Sequence, residues 1–222
     1  ASTAWENAAI CHARLFKTII DDASTLTYNL PAIHLQHIKK LTTKFGMIQF
    51  AKINQPDLDS GYTVDDNARA LIAMCQHYEL TRDKEDIPYI NIYLKFIEFC
   101  QQHDGSFLNY VNAERKFTAQ NYETNLADSN GRSIWALGYL ISMRPLLPVQ
   151  LTALANRIIE NALPHLSALH STRAMAFIIK GLYYRNLKIK TEQNNLLIVE
   201  LANRLLQMYR HERHNNWHWF ES

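Results

Sequence analysis

Apolar residues recur at three- and four-residue intervals along almost the whole chain, the period of a helix face and not of a strand. In 87–102 (IPYINIYLKFIEFCQQ), 150–163 (QLTALANRIIENAL) and 192–209, Leu and Ile fall at i, i+3, i+4 and i+7, with charges such as Arg157 and Glu160 on the far side. This pattern predicts helices that bury a single stripe. Residues 70–78 (ALIAMCQHY), 133–143 (SIWALGYLISM) and 174–179 (AMAFII) carry no charge, which predicts helices covered from both sides. The predicted order is outer 31–43, inner 66–79, outer 87–102, inner 129–143, outer 150–162, inner 172–185 and outer 192–209. Each outer helix must bury its stripe against neighbouring inner ones. The expected fold is therefore all-α, a two-layer (α/α) toroid-like ring or arc of helical hairpins.

An internal repeat supports this order. The inner helices open alike, with "DNARALIAM" at 66, "SNGRSIWAL" at 129 and "HSTRAMAFI" at 170, so that Arg69, Arg132 and Arg173 share one register. Two of these openings follow a Gly-led aromatic segment expected to be extended, "GMIQFAKI" (46–53) and "GSFLNYV" (105–111). A third aromatic segment, "NNWHWFES", ends the sequence without the leading Gly. Repeats of one supersecondary unit commonly gather their variable loops on one face, which becomes the binding face. A fourth inner helix is expected after Ser222, so the ring is expected to be incomplete.

Composition narrows the chemistry. With 23 basic and 21 acidic residues the formal charge is only +2, and no basic run exceeds Lys39-Lys40, which argues against nucleic acid as a partner. Cys11, Cys75 and Cys100 lack metal spacing and are odd in number, which fits a reducing cytoplasm better than a disulfide framework. No apolar stretch approaches the roughly 20 residues of a membrane span. His211, His214 and His218 lie close in sequence but without an accompanying Cys or carboxylate pattern, and no glycine loop suits phosphate. Neither a metal nor another cofactor is expected.

The chemistry-bearing stretch is "DSGYTVDDNARALIAM" (59–74), where Asp65 and Asp66 stand at the mouth of an inner helix. An Asp there can cap free backbone N–H groups and complement the helix dipole. Only one of two consecutive residues can be the cap, because successive helical side chains point about 100° apart; the other must face the loops. Arg69 lies four residues after Asp65, and Arg132 four after Asp128, so both can form i, i+4 ion pairs. A helix N-terminus and a nearby Arg both favour the carboxylate, so Asp65, Asp66 and Asp128 should tend toward low pKa, although repulsion within the Asp pair can raise one member. A purely structural role for this Asp/Arg set stands beside a functional one. In the functional one, carboxylates from separate inner helices converge at the mouth of the ring. Tyr62, Trp217 and Trp219 would be flat platforms for sugar rings, and Asn67, Asn109 and Asn130, with Arg69 and Arg132, would bind hydroxyls. Hydrolysis would need two carboxyl groups, about 5 Å apart for retention or roughly 6.5 to 9.5 Å for inversion. Glu221, beside Trp217, Trp219 and Phe220, is a candidate general acid.

At "GYTVDDNARALI", "ADSNGRSIWALGYL" and "WHWFES" the chain resembles the helical toroid domain attached to, or encoded beside, some bacterial and archaeal glycosyltransferases, within the wider group of six-hairpin, glycosidase-like toroids. The resemblance covers residues 31–222 and implies a truncated toroid domain there. The opening "AWENAAICHARLFKTI" is similar to the last helix of retaining, two-Rossmann-domain glycosyltransferases. Residues 1–22 are accordingly expected to be either that helix of an upstream glycosyltransferase domain or the first helix of the toroid. In toroid mannanases of similar architecture an adjacent Asp pair is catalytic, which carries onto Asp65 and Asp66 by analogy alone. The resemblance implies a carbohydrate-active or carbohydrate-binding domain whose partner is an oligosaccharide or polysaccharide. Whether it is an enzyme, glycoside hydrolase-like or part of a glycosyltransferase, stays open, and the alternative is a noncatalytic helical scaffold or protein-interaction module.

Overall fold

A computed structural model describes residues 5–20 and 32–212 of the chain. It divides into two compact units, Ala1–His34 and Leu35–Ser222. The smaller contributes helix α1 (Trp5–Ile20), on which Ile10, Leu15, Phe16 and Ile19 are exposed.

The larger unit is all-α apart from four two-residue strands among the described residues. Its helices are α2 (Gln36–Leu41), α3 (Val64–Thr81), α4 (Asp86–Cys100), the single turn α5 (Gln120–Glu123), α6 (Ala127–Ser142), α7 (Val149–Leu166), α8 (Thr172–Asn186) and α9 (Glu192–Glu212). The six long ones match the expected helices, while the helix expected over 31–43 is shortened to α2. No described helix is long and apolar enough to cross a membrane.

The packing follows the predicted division into two kinds. α3, α6 and α8 lie side by side with α6 in the middle, and α4, α7 and α9 back them in turn. Leu71, Met74, Ile134, Leu137, Ile178 and Leu182 fill the space between these layers together with Ile158 and Ile159 of α7. At roughly 1.5–3 kcal/mol for each fully buried Leu, Ile or Met, this core supplies the main drive for the arrangement.

The seam between α6 and α8 is closer than side-chain packing permits. A Cβ placed on Gly131 would lie 2.6 Å from the carbonyl oxygen of Ala174, and one on Gly138 would overlap the Gly181 backbone. Both contacts join residues seven apart on each helix, so α6 and α8 run in the same direction for two turns with their backbones touching. Inner helices that run the same way put their N-termini at one end. This is what gathers the repeated Asp/Arg openings. One expectation changes here: the inner helices are not covered from both sides, since Arg69 and Gln76 on α3 and Ala176, Lys180 and Tyr183 on α8 are exposed, and Trp135 on α6 is half-buried.

Short strands stitch the helix openings together. β1 (Ala51–Lys52) pairs antiparallel with β2 (Gln55–Pro56), and β3 (Tyr62–Thr63) with β4 (Tyr110–Val111). β3 leads straight into α3, so its pairing with β4 ties the start of α3 to the segment that precedes α6. Gly61, at φ 68°, makes the turn into β3, in a left-handed region that costs glycine little.

Candidate functional site

Neither aspartate of the pair caps α3. That role falls to Thr63, whose Oγ1 accepts the Asp66 backbone N–H at 3.1 Å and donates to the Asp66 carboxylate at 2.6 Å. α3 thus starts one residue before Asp65, and both carboxylates leave its first turn. The backbone N–H of Asp65 is taken by the Asn109 side-chain oxygen at 3.0 Å, and that of Val64 by the Asn109 carbonyl at 3.0 Å.

The two Gly-led segments are held by a repeated device. Asn67 accepts the Met47 N–H at 2.8 Å and donates to the Thr63 and Met47 carbonyls at 2.8 and 3.3 Å. Asn130 does the same one repeat later, accepting the Phe107 N–H at 2.8 Å and donating to the Phe107 and Leu126 carbonyls, both at 2.9 Å. With every amide atom committed to buried backbone, neither asparagine is available for hydroxyls. Tyr62 is likewise no platform: it is buried against Phe45 and Phe96, with ring centroids 5.1 and 5.8 Å away, and its hydroxyl meets Thr43 at 3.3 Å.

The remaining described candidates come together. Asp65, Asp66, Arg69, Asn109, Asp128 and Arg132 all line one open pocket of about 430 Å³ at the N-terminal ends of α3 and α6, and Arg173 at the start of α8 joins them. Trp217, Trp219 and Glu221 lie outside the described residues. Aromatic walls come from Phe50 and Tyr110 in place of the expected Tyr62. Both sit in the aromatic segments 46–53 and 105–111, and Phe50 is separated by one residue from the buried Ile48.

Ion pairing runs between hairpins. Asp65 forms the expected pair with Arg69 four residues on, and it also pairs with Arg132 of α6. Asp128 pairs with Arg173 of α8 at 2.8 Å and accepts the Ser171 hydroxyl at 2.8 Å. Arg132 therefore turns to the preceding inner helix instead of to Asp128, its expected partner on α6. Asp65 and Asp128 each bind the arginine of the next inner helix, while Asp66 pairs with Arg69 of its own, so the repeat becomes a chain of charges. The Arg132 guanidinium also lies over the Phe177 ring, 4.5 Å from its centroid, a cation–π contact worth about 0.5–2 kcal/mol as it loses water.

Asp66 departs from the low pKa expected of it. Burial raises its carboxyl above the ordinary carboxylate value, the Thr63 hydroxyl and Arg69 offset part of this, and the charge of Asp65 adds to the rise. Desolvation therefore outweighs the helix end and the arginines. The pocket holds three aspartates and three arginines, formally balanced, with one aspartate poised to take a proton more readily than usual. Such a mixture of fixed acceptors and donors can grip a neutral, hydroxyl-rich molecule from several sides. No protein-family model matches the chain, and no curated protein does.

Proposed function

We propose that this pocket binds carbohydrate, an oligosaccharide or a stretch of polysaccharide, in an (α/α) toroid-like domain associated with a glycosyltransferase. The observation that carries the proposal is the convergence of the openings of α3, α6 and α8 on one open, charge-balanced pocket with Phe50 and Tyr110 in its wall. Carboxylates accept sugar hydroxyls, guanidinium groups donate to them, and an aromatic ring covers the apolar face of a pyranose. Because Asp65 and Asp128 are already held by arginines from neighbouring helices, their oxygens are aimed before a ligand arrives, which lowers the ordering cost of binding.

Hydrolysis of the bound glycan is a second proposal, favoured by Asp66. A partly buried carboxyl with a raised pKa beside the arginine-held Asp65 pairs a proton donor with a second carboxyl group, the arrangement that glycosidic cleavage needs. The deciding experiment is a glycan array followed by a hydrolysis screen on the array hits, with Asp65→Asn and Asp66→Asn alongside. Binding without turnover, weakened by Asp65→Asn, supports the binding proposal. Turnover that Asp66→Asn abolishes while binding persists supports hydrolysis. A chain that binds no glycan on the array has a scaffold or protein-interaction role instead, and the carbohydrate proposal fails.

A further inference from the structure

From Arg132, in the pocket wall, a row of side chains leads away along the seam between α6 and α8. Arg132 and Trp135 lie one turn apart on α6, Phe177 and Lys180 one turn apart on α8, and the backbone contacts at Gly131 and Gly138 bring the four side chains to one side of the seam. They form a column: Arg132 over Phe177 at 4.5 Å, Phe177 stacked on Trp135 at 5.6 Å and 11°, and the Lys180 ammonium over Trp135 at 3.7 Å from the ring centroid. One end of the column is ion-paired to Asp65 in the pocket, and the other end is exposed. From Arg173, which lines the pocket, to Lys180 is seven residues of helix, about 10 Å of rise.

The two ends differ in charge. In the pocket every described arginine has a carboxylate partner. Lys180 has no ion-pair partner among the described residues; its contact is the Trp135 ring, and burial alone shifts its amine, downward, with no acidic neighbour offsetting the shift. We propose that Lys180 on its Trp135 plate is a second subsite beside the pocket, joined to it by this column, one that takes an anionic group of the bound glycan, specifically the carboxylate of a uronic acid residue. This rests on the carbohydrate reading of the pocket and extends it to a substrate class: a chain whose first unit is neutral and whose next units carry acid. A ligand carboxylate would give the ammonium the counter-charge that the fold withholds, and the aromatic ring beneath it excludes water, which strengthens the pair.

The test uses the full chain and isothermal titration calorimetry with two probes of equal length, a neutral tetramannoside and a tetrasaccharide with one neutral terminal mannose followed by three mannuronate units, at low salt. The uronate is expected to bind about tenfold more tightly. Lys180→Gln is expected to erase that preference while leaving the neutral probe unaffected, and Lys180→Arg to restore it. Equal affinity for the two probes, or a preference that survives Lys180→Gln, overturns the uronate subsite and leaves carbohydrate binding standing. If neither probe binds and the glycan array is also silent, the carbohydrate reading and this inference fall together. Because Lys180 is exposed, a folding defect in either variant is not expected, and circular dichroism of both checks this.

Discussion

Replacing Gly138 by alanine tests the feature on which the convergent pocket depends, the backbone contact between α6 and α8. In an open helix interior this substitution stabilises by about 1 kcal/mol, because alanine is the best helix former and glycine among the poorest. At Gly138 the new Cβ would meet the backbone of Gly181, with its carbonyl carbon at 2.6 Å and its Cα at 2.8 Å. Carbon atoms rest about 3.5–4.0 Å apart, so the two helices must separate by roughly 1 Å, and the atoms along the seam then forfeit a quarter to a half of their dispersion contact. The atoms met belong to backbone, which has no rotamer into which to retreat. Overpacking of this kind costs about 1–3 kcal/mol, and at the upper end of that range, where backbone meets backbone, the propensity gain of about 1 kcal/mol leaves a net loss of about 2 kcal/mol. In urea, with m near 2 kcal/mol per molar, the unfolding midpoint followed by circular dichroism should fall by about 1 M with m unchanged. A midpoint that rises would mean that α6 and α8 do not touch at Gly138, and the gathering of the helix openings would lose its basis.

Four further outcomes follow from individual side chains. A double-mutant cycle of Asp65→Asn and Arg132→Gln should give a coupling of about 1 kcal/mol, above the few tenths of an exposed i, i+4 pair, because both side chains are largely shielded; a coupling near zero in urea unfolding would contradict the inter-hairpin chain. Asn67→Ala should cost about 2–3 kcal/mol in the same assay, since it leaves the Met47 N–H and the Thr63 carbonyl without the partner that fixes the first Gly-led segment. Arg185, buried and bonded to Asn156, Glu160 and Asn194, ties α7, α8 and α9 together, and Arg185→Ala should cost about 2–3 kcal/mol, less than a fully buried ion pair because Glu160 is exposed. Asp66 supplies a pH dependence: its folded pKa is raised, so as pH climbs past the ordinary carboxylate value the unfolded chain ionises first and the wild type loses stability relative to Asp66→Asn, until pH exceeds the folded value. Parallel stability curves for the two proteins across that window would refute the burial assigned to Asp66.

Helical periodicity was enough to place all six long helices of the larger unit, because a helix states its buried stripe every three or four residues and needs no distant information to do so. The absence of charge in ALIAMCQHY, SIWALGYLISM and AMAFII marked the inner layer for the same reason, and the common register of Arg69, Arg132 and Arg173 marked the repeat. The convergence of Asp65, Asp66 and Asp128 was likewise legible, since repeated loops tend to share a face. What each polar side chain bonds to was not legible. Asn67 and Asn130 look like free amides in the sequence, yet each clamps, from the helix that follows, a strand-like segment 20 and 23 positions earlier respectively. Arg132 has a carboxylate four residues before it on its own helix and pairs with one 67 positions earlier. Tyr62 and Phe50 are both aromatics near the same turn, and the strand-like pairing of Tyr62 with Val111 on one side and Ile48 on the other accompanies one turned inward and the other left in the pocket wall. Local periodicity decides which face of an element is buried; which partner a charge or an amide meets is decided by how close the neighbouring backbones come, and at Gly131, Gly138 and Gly181 they come close enough to touch.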